Sequence, residues 1–232
     1  MDFKNIYDLI NKSNVIVGGI PGSGKTIFTK LVLKADIENE IKTLIVDEEN
    51  EFKGLSNTLN GIYVNSNEFV HCSINELINS KFDTNLLVIR IDFPFENNSN
   101  IAIDNLTAVF KIALNNNFKK IHLSDRFIKI LLEHYEEFKT FLNDINILGN
   151  TGKLNYLNSD KINSYFNNIL LFELSKGDID EIETKYNIGK EFLLAIRRSY
   201  KTRDCLIHNI KYKKTQQACV KLSNDDVAGL LI

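Results

Sequence analysis

Gly19-Ile20-Pro21-Gly22-Ser23-Gly24-Lys25-Thr26 fits the spacing G-x-x-x-x-G-K-[ST] without a mismatch, and the rest of the chain reads outward from it. Glycines at this spacing let the backbone curl with its N–H groups inward. That makes an anion nest at the start of a helix, where the helix dipole also favours negative charge. Asn14-Val15-Ile16-Val17-Gly18 before it is a short apolar run that reads as a buried strand. Ile27-Phe28-Thr29-Lys30-Leu31-Val32-Leu33 after it has helical apolar spacing. Strand, loop and helix thus come in the order a phosphate cradle requires. The predicted nucleotide-binding residues are Gly19, Pro21, Gly22, Ser23, Gly24, Lys25, Thr26 and Ile27. Lys25 would reach the β- and γ-phosphates of ATP, and the Thr26 hydroxyl would sit on Mg²⁺.

With 232 residues the chain is long enough for one α/β domain with a sizeable core, and two full domains would be cramped. A net charge of −2 and a pI near 6.1 argue against a nucleic-acid binder that works by bulk positive charge, while leaving room for a local basic channel in an oligomer. Cys72, Cys205 and Cys219 form no C-x-x-C pair, so they read as reduced cytoplasmic thiols. No run approaches 18 apolar residues, and any work at a membrane would need another chain to hold this one there.

Phe3, Ile6, Leu9 and Ile10 predict a short packing helix over 3–12, and the loop helix runs over 24–40. Lys42-Thr43-Leu44-Ile45-Val46-Asp47 reads as a second strand parallel to the first, because a helix crosses between them. Asp47-Glu48-Glu49-Asn50-Glu51-Phe52 follows at the carboxyl end of that strand, where open α/β sheets place their ligand chemistry. A helix over 51–60, a short strand over 61–65 and a strand over 85–93 ending near Asp92 come next. A helix capped at Asn98 or Ser99 then leads to a three-Asn linker over 115–117. Lys120-Ile121-His122-Leu123-Ser124-Asp125 is another strand ending in Asp. Beyond it lie one helix over 126–140 and a strand over 144–149 that leads to Asn150-Thr151-Gly152. A helix over 160–166, a strand over 168–172 and helices over 177–186 and 189–200 complete the α/β part. A hairpin turning at Lys213-Lys214-Thr215-Gln216 and a last short helix capped at Ser223 or Asn224 close the chain. His71, His122, His134 and His208 show no ligand spacing and read as structural or surface residues.

On these residues the chain resembles HerA/FtsK-type ATPases and looks closest to the motor domain of the VirB4/TraC conjugation ATPases. Asp47, Glu51 and Phe52 match that family's D-P-x-G-E-Y segment, while Glu48 and Asn50 replace its Pro and Gly. Asn at that point tolerates a left-handed turn. The resemblance covers about residues 13–222 and implies a single domain over 1–232. The implied fold is α/β, a RecA-like P-loop NTPase with a mainly parallel sheet flanked by helices and a C-terminal β-hairpin.

Asp92 and Asp125 compete for the Mg²⁺-holding role of the Walker B aspartate, and the one whose strand borders the loop strand would take it. The family's order of elements favours Asp125. Arg126 then stands where the family has the Glu that polarises water, so hydrolysis would be slow, with Glu48, Glu49 or Glu51 compensating. Thr151 matches the first residue of a Thr-Gln pair that senses the γ-phosphate, and Gly152 departs from the second. Lys25, Asp125, Glu51 and Thr151 are thus the catalytic expectations, and Thr26 and Asp125 the metal ligands. Arg197, Arg198 and Arg203 offer either a trans-acting finger or, with more weight, exposed helix-end charges.

The resemblance further implies a ring-forming homo-oligomer, a hexamer, that energises protein or DNA transport. It would lie in the cytoplasm, at the inner face of the cell membrane where it meets secretion-channel components. A catalytically weak pseudo-ATPase acting as a nucleotide-dependent assembly subunit, and a viral or mobile-element DNA-packaging ATPase, are the alternative readings.

Overall fold

Short strands with almost no polar alternation carry this fold. The computed structural model describes residues 3–65, 74–91, 99–152, 156–157, 160–196 and 202–221. In chain order the elements are α1 (Phe3–Ile10), β1 (Val15–Gly18), α2 (Lys25–Glu38), β2 (Thr43–Asp47), α3 (Lys53–Thr58) and β3 (Ile62–Asn65). A 3₁₀ turn (Ile74–Asn79), β4 (Leu86–Arg90), α4 (Ser99–Asn115), β5 (Lys120–Leu123), α5 (Asp125–Glu133), α6 (Tyr135–Phe138) and β6 (Asn146–Thr151) follow. The last are α7 (Ile162–Tyr165), β7 (Asn168–Leu171), α8 (Lys176–Tyr186), α9 (Lys190–Ala195), β8 (Thr202–Asn209) and β9 (Lys214–Lys221). All residues of β1, β2, β5 and β7 are buried, the pattern of parallel strands covered on both faces. The fold is accordingly α/β, a mainly parallel sheet flanked by helices, with an antiparallel hairpin at its carboxyl end.

The chain divides into two compact units, one drawn from Met1–Val32 and Ile147–Ala228, the other centred on Leu33–Asn146. In the first, β1 lies between β6 and β7, parallel to both, and β7 passes antiparallel to β8, which pairs with β9. Asn14 ties the strand starts together: its carbonyl accepts from Asn167 N at 2.8 Å and its Oδ1 from Ile147 N at 2.7 Å. Phe28 of α2 packs against Phe172 just past β7, with ring centroids 5.5 Å apart. In the second unit the parallel strand order is β3-β4-β2-β5. Lys120 at the start of β5 donates to both carboxylate oxygens of Asp36 in α2, at 2.7 and 2.9 Å, and both side chains are buried. No described helix is long and apolar enough to cross a membrane.

Several local expectations change. In α1 the buried face is Ile6, Tyr7 and Ile10, while Leu9 is 47 % exposed, because a 3.6-residue period carries position 9 round to solvent. The helix expected over 126–140 breaks at His134, whose φ of −111° and ψ of 43° are not helical, and α6 restarts with Glu136 and Glu137 in its first turn. Those acidic residues favour a new helix start. The three-Asn linker is not a solvated spacer. Asn116 is buried, donates to the carbonyls of Ser80 and Ile112, and accepts from Phe82 N. The hairpin turns at 210–213, earlier than expected, with Lys213 at φ 50° and Tyr212 N donating to Asn209 Oδ1. Pairing of Asn209 with Lys214 closes the turn there and sets Thr215 opposite His208, whose Nδ1 its hydroxyl meets at 2.9 Å. Cys205 and Cys219 are free thiols, and burial pushes the Cys205 thiol up to about 12. Cys72, His71, the Asn98 cap, Arg197, Arg198, the side chain of Arg203 and the helix expected after Ser223 lie outside the described residues.

Candidate nucleotide site

The G-x-x-x-x-G-K-T stretch forms a tight loop between the last residue of β1 and the first of α2. Gly22 and Gly24 adopt φ values of 75° and 110°, which side chains on Cβ disfavour. A Cβ on Gly19 would lie 2.8 Å from Ser23 Oγ and 3.0 Å from Phe172 Cβ, so this position takes only glycine. Ser23 Oγ is buried and makes no hydrogen bond among the described residues. Lys25 Nζ folds back over the loop and donates to the carbonyls of Gly19 and Ile20, at 2.6 and 3.0 Å. Thr26 and Ile27 follow, half-buried, in the first turn of α2, where helix geometry leaves N–H groups without carbonyl partners in the helix. A cradle that a Cβ would fill, an orphaned hydroxyl and an ammonium at a helix N-terminus fit a polyphosphate.

Thr151 ends β6 directly beside Gly18, the residue before the loop, and is buried. Its neighbour Asn150 accepts a hydrogen bond from Thr29 Oγ1 of α2 at 3.1 Å, fixing this strand end to the loop helix. Sequence reasoning passed over Asn150, although a polar side chain closing an apolar strand is a visible signal.

In the other unit, parallel pairing of β2 with β5 sets Ile45 level with His122 and brings the segments after both strands together. Asp47 is buried and its carboxylate accepts the N–H groups of Glu51 and Phe52, each at 3.0 Å, so it holds the turn. Asn50 takes the left-handed conformation at φ 61°, as a Gly replacement there requires. Glu51 is exposed. Glu48 is the carboxylate tied to the Asp125 segment: the Ser124 hydroxyl donates to its Oε2, and Arg126 Nε lies 3.7 Å from its Oε1. Burial pushes the Glu48 carboxyl above the ordinary carboxylate range, against the opposing pull of the Ser124 hydrogen bond and the Arg126 guanidinium. Ser124 is the N-cap of α5 yet makes no side-chain cap bond, its hydroxyl being spent on Glu48, and Asp125 opens the helix, half-buried. Bordering the loop strand selects neither aspartate, because β1 is flanked by β6 and β7. Asp92 itself lies outside the described residues.

No family model matches the chain, and no curated protein matches it in sequence. Solved structures do match in shape. VirB4 of Thermoanaerobacter pseudethanolicus superposes with a TM-score of 0.63 at 10 % identity, over 90 % of this chain and 89 % of that one. B204, the DNA-packaging ATPase of Sulfolobus turreted icosahedral virus, gives 0.62 at 13 % identity, over 89 % and 96 %. The B204 genome-packaging NTPase of Sulfolobus turreted icosahedral virus 2, in complex with ATP-gammaS, gives 0.60 at 12 %, over 91 % and 98 %. The fold is that of these P-loop ATPases. At such identities the likeness is one of fold, and the chemistry rests on the residues described above.

Proposed function

We propose that the chain binds and hydrolyses Mg·ATP and that this drives transport of a macromolecule, protein or DNA, by a homo-oligomeric ring, a hexamer on the pattern of the motors it resembles. The loop carries the reading: Gly19 is packed beyond room for a Cβ, Ser23 has an orphaned hydroxyl, and Lys25 and Thr26 stand at the start of α2. Thr26 and, on the family's order of elements alone, Asp125 are the metal ligands we propose. The metal, when bound, would neutralise charge on the β- and γ-phosphate oxygens. Thr151, beside Gly18, is the γ-phosphate sensor in this scheme. Glu48, rather than the exposed Glu51, orients the attacking water, since it accepts the Ser124 hydroxyl and lies beside Arg126 next to the Asp125 segment.

That same pair favours a second reading. With Arg126 beside Glu48, the carboxylate proposed to replace the missing Glu, the chain could serve as a nucleotide-dependent assembly subunit, bound ATP stabilising an interface by mass action. A DNA-packaging role is supported by the match to nearly the full length of B204.

Steady-state phosphate release from Mg·ATP, measured over a wide range of protein concentration, separates these readings. The motor predicts turnover that rises faster than linearly with concentration, vanishes in Lys25→Ala, and falls about 10²–10⁴-fold in Glu48→Gln, the scale of a lost acid–base group. Stimulation by DNA would mark the packaging role. A flat background, identical in Lys25→Ala, with ATP still bound by the wild type, leaves the assembly subunit.

A further inference from the structure

We propose that the cavity between the end of β7 and helices α8 and α9 takes the base of the bound nucleoside triphosphate, an inference that rests on the ATP-binding reading above. β7 is the direct neighbour of β1, with Leu171 level with Gly18. The chain leaving it is stitched to the loop: Phe172 N donates to Gly18 O, and Ile20 N donates to Glu173 O, both at 2.9 Å. Glu173 and Leu174 are therefore at once the shoulder of the phosphate loop and the first wall of a cavity of about 450 Å³. That volume lies within the roughly 300–1,000 Å³ typical of small-molecule sites.

The lining suits a flat heterocycle. Leu174, Ile179, Leu193, Leu194 and Ile196 supply apolar surface for the ring faces, and Glu173 and Lys176 supply hydrogen-bonding groups for its edge. Ile179, Leu193 and Ile196 are buried and form a preformed floor, while Leu194 is 54 % exposed, leaving apolar area for a ligand to cover. With the phosphates in the nest at the start of α2, only the ribose and base need a place, and loop and cavity belong to the same compact unit. The other candidate occupant is a side chain of a second copy, drawn to exposed Phe192 and Leu194 on α9.

Calorimetric titration of the full chain with Mg·ATP and with inorganic tripolyphosphate tests the assignment, using Leu194→Glu and Leu194→Arg. The exposure of Leu194 keeps folding out of the question, and the opposite charges separate loss of apolar contact from attraction or repulsion of the phosphates. ATP affinity is expected to fall about tenfold in both variants, the scale of losing one apolar contact surface, while tripolyphosphate affinity stays within about twofold. Unchanged ATP affinity in either variant, or equal weakening of both ligands, overturns the base site. Unchanged ATP affinity with loss of self-association in both variants overturns it in favour of the second copy. A wild type that binds neither ligand overturns the nucleotide reading itself and this inference with it.

Discussion

His122 in β5 is 1 % exposed, its ring against the Phe52 ring at a centroid distance of 5.1 Å, and neither ring nitrogen has a hydrogen-bond partner among the described residues. Burial lowers its pKa from 6.5 to about 3, so the folded chain holds it neutral. Between those two values the unfolded chain binds a proton that the native chain does not. Stability must therefore fall as the pH drops below about 6.5, by at most about 1.4 kcal/mol per unit, and this contribution is flat above it. His122→Leu removes that slope and two orphaned nitrogens together. Urea midpoints from pH 8 down to 4.5 should diverge below about 6.5, the wild type losing more than the variant, and parallel curves would show that His122 is hydrated or protonated in the fold. Reading His122 as structural was possible from its lack of ligand spacing; its orphaned state was not. Which ring nitrogens find partners depends on what a parallel neighbour and a turn some 70 residues away bring near, as Phe52 does here.

Where α2 meets β5, Asp36 and Lys120 form a buried ion pair. The pair follows from pairing Thr43 with Lys120, which sets the start of β5 level with the start of β2 and beside the helix that precedes it. Asp36→Ala leaves the ammonium buried without its carboxylate and should cost about 3–5 kcal/mol, whereas Asp36→Leu with Lys120→Met should come near neutrality. Urea unfolding of the single and double variants measures this, and a single-variant cost under about 1 kcal/mol would mean that water reaches Lys120. Elements of this kind divide cleanly into legible and illegible. Apolar runs such as Val15-Ile16-Val17 and Leu44-Ile45-Val46 announce buried parallel strands, and the loop announces itself because its spacing is local. The strand order β3-β4-β2-β5 is not sequential, so the meeting of Glu48 with Ser124 and Arg126 across some 76 residues leaves no local trace. The break at His134 was hidden for the opposite reason: helical periodicity continues through it, and only the local dihedrals and the acidic restart end the helix.

At the scale of the whole molecule, a chain with 10–13 % identity to VirB4 and B204 shares their fold across about nine-tenths of its length. Buried strands tolerate exchange among Val, Ile and Leu with little loss, so the fold outlives the sequence, while a phosphate cradle demands particular residues at particular positions. What the loop keeps is the cradle, Gly19 to Thr26, at the spacing a polyphosphate requires. Nucleotide affinity is therefore the property on which motor, assembly subunit and packaging ATPase all depend. An equilibrium titration of the full chain with Mg·ATP, wild type against Lys25→Ala, tests it most directly. Saturable binding at one site per chain, weakened about ten- to a hundredfold by loss of the Lys25 ammonium with the urea midpoint unchanged, is the predicted result. No binding by the wild type, or equal affinity in the two proteins, would contradict the assignment of this loop as a nucleotide site.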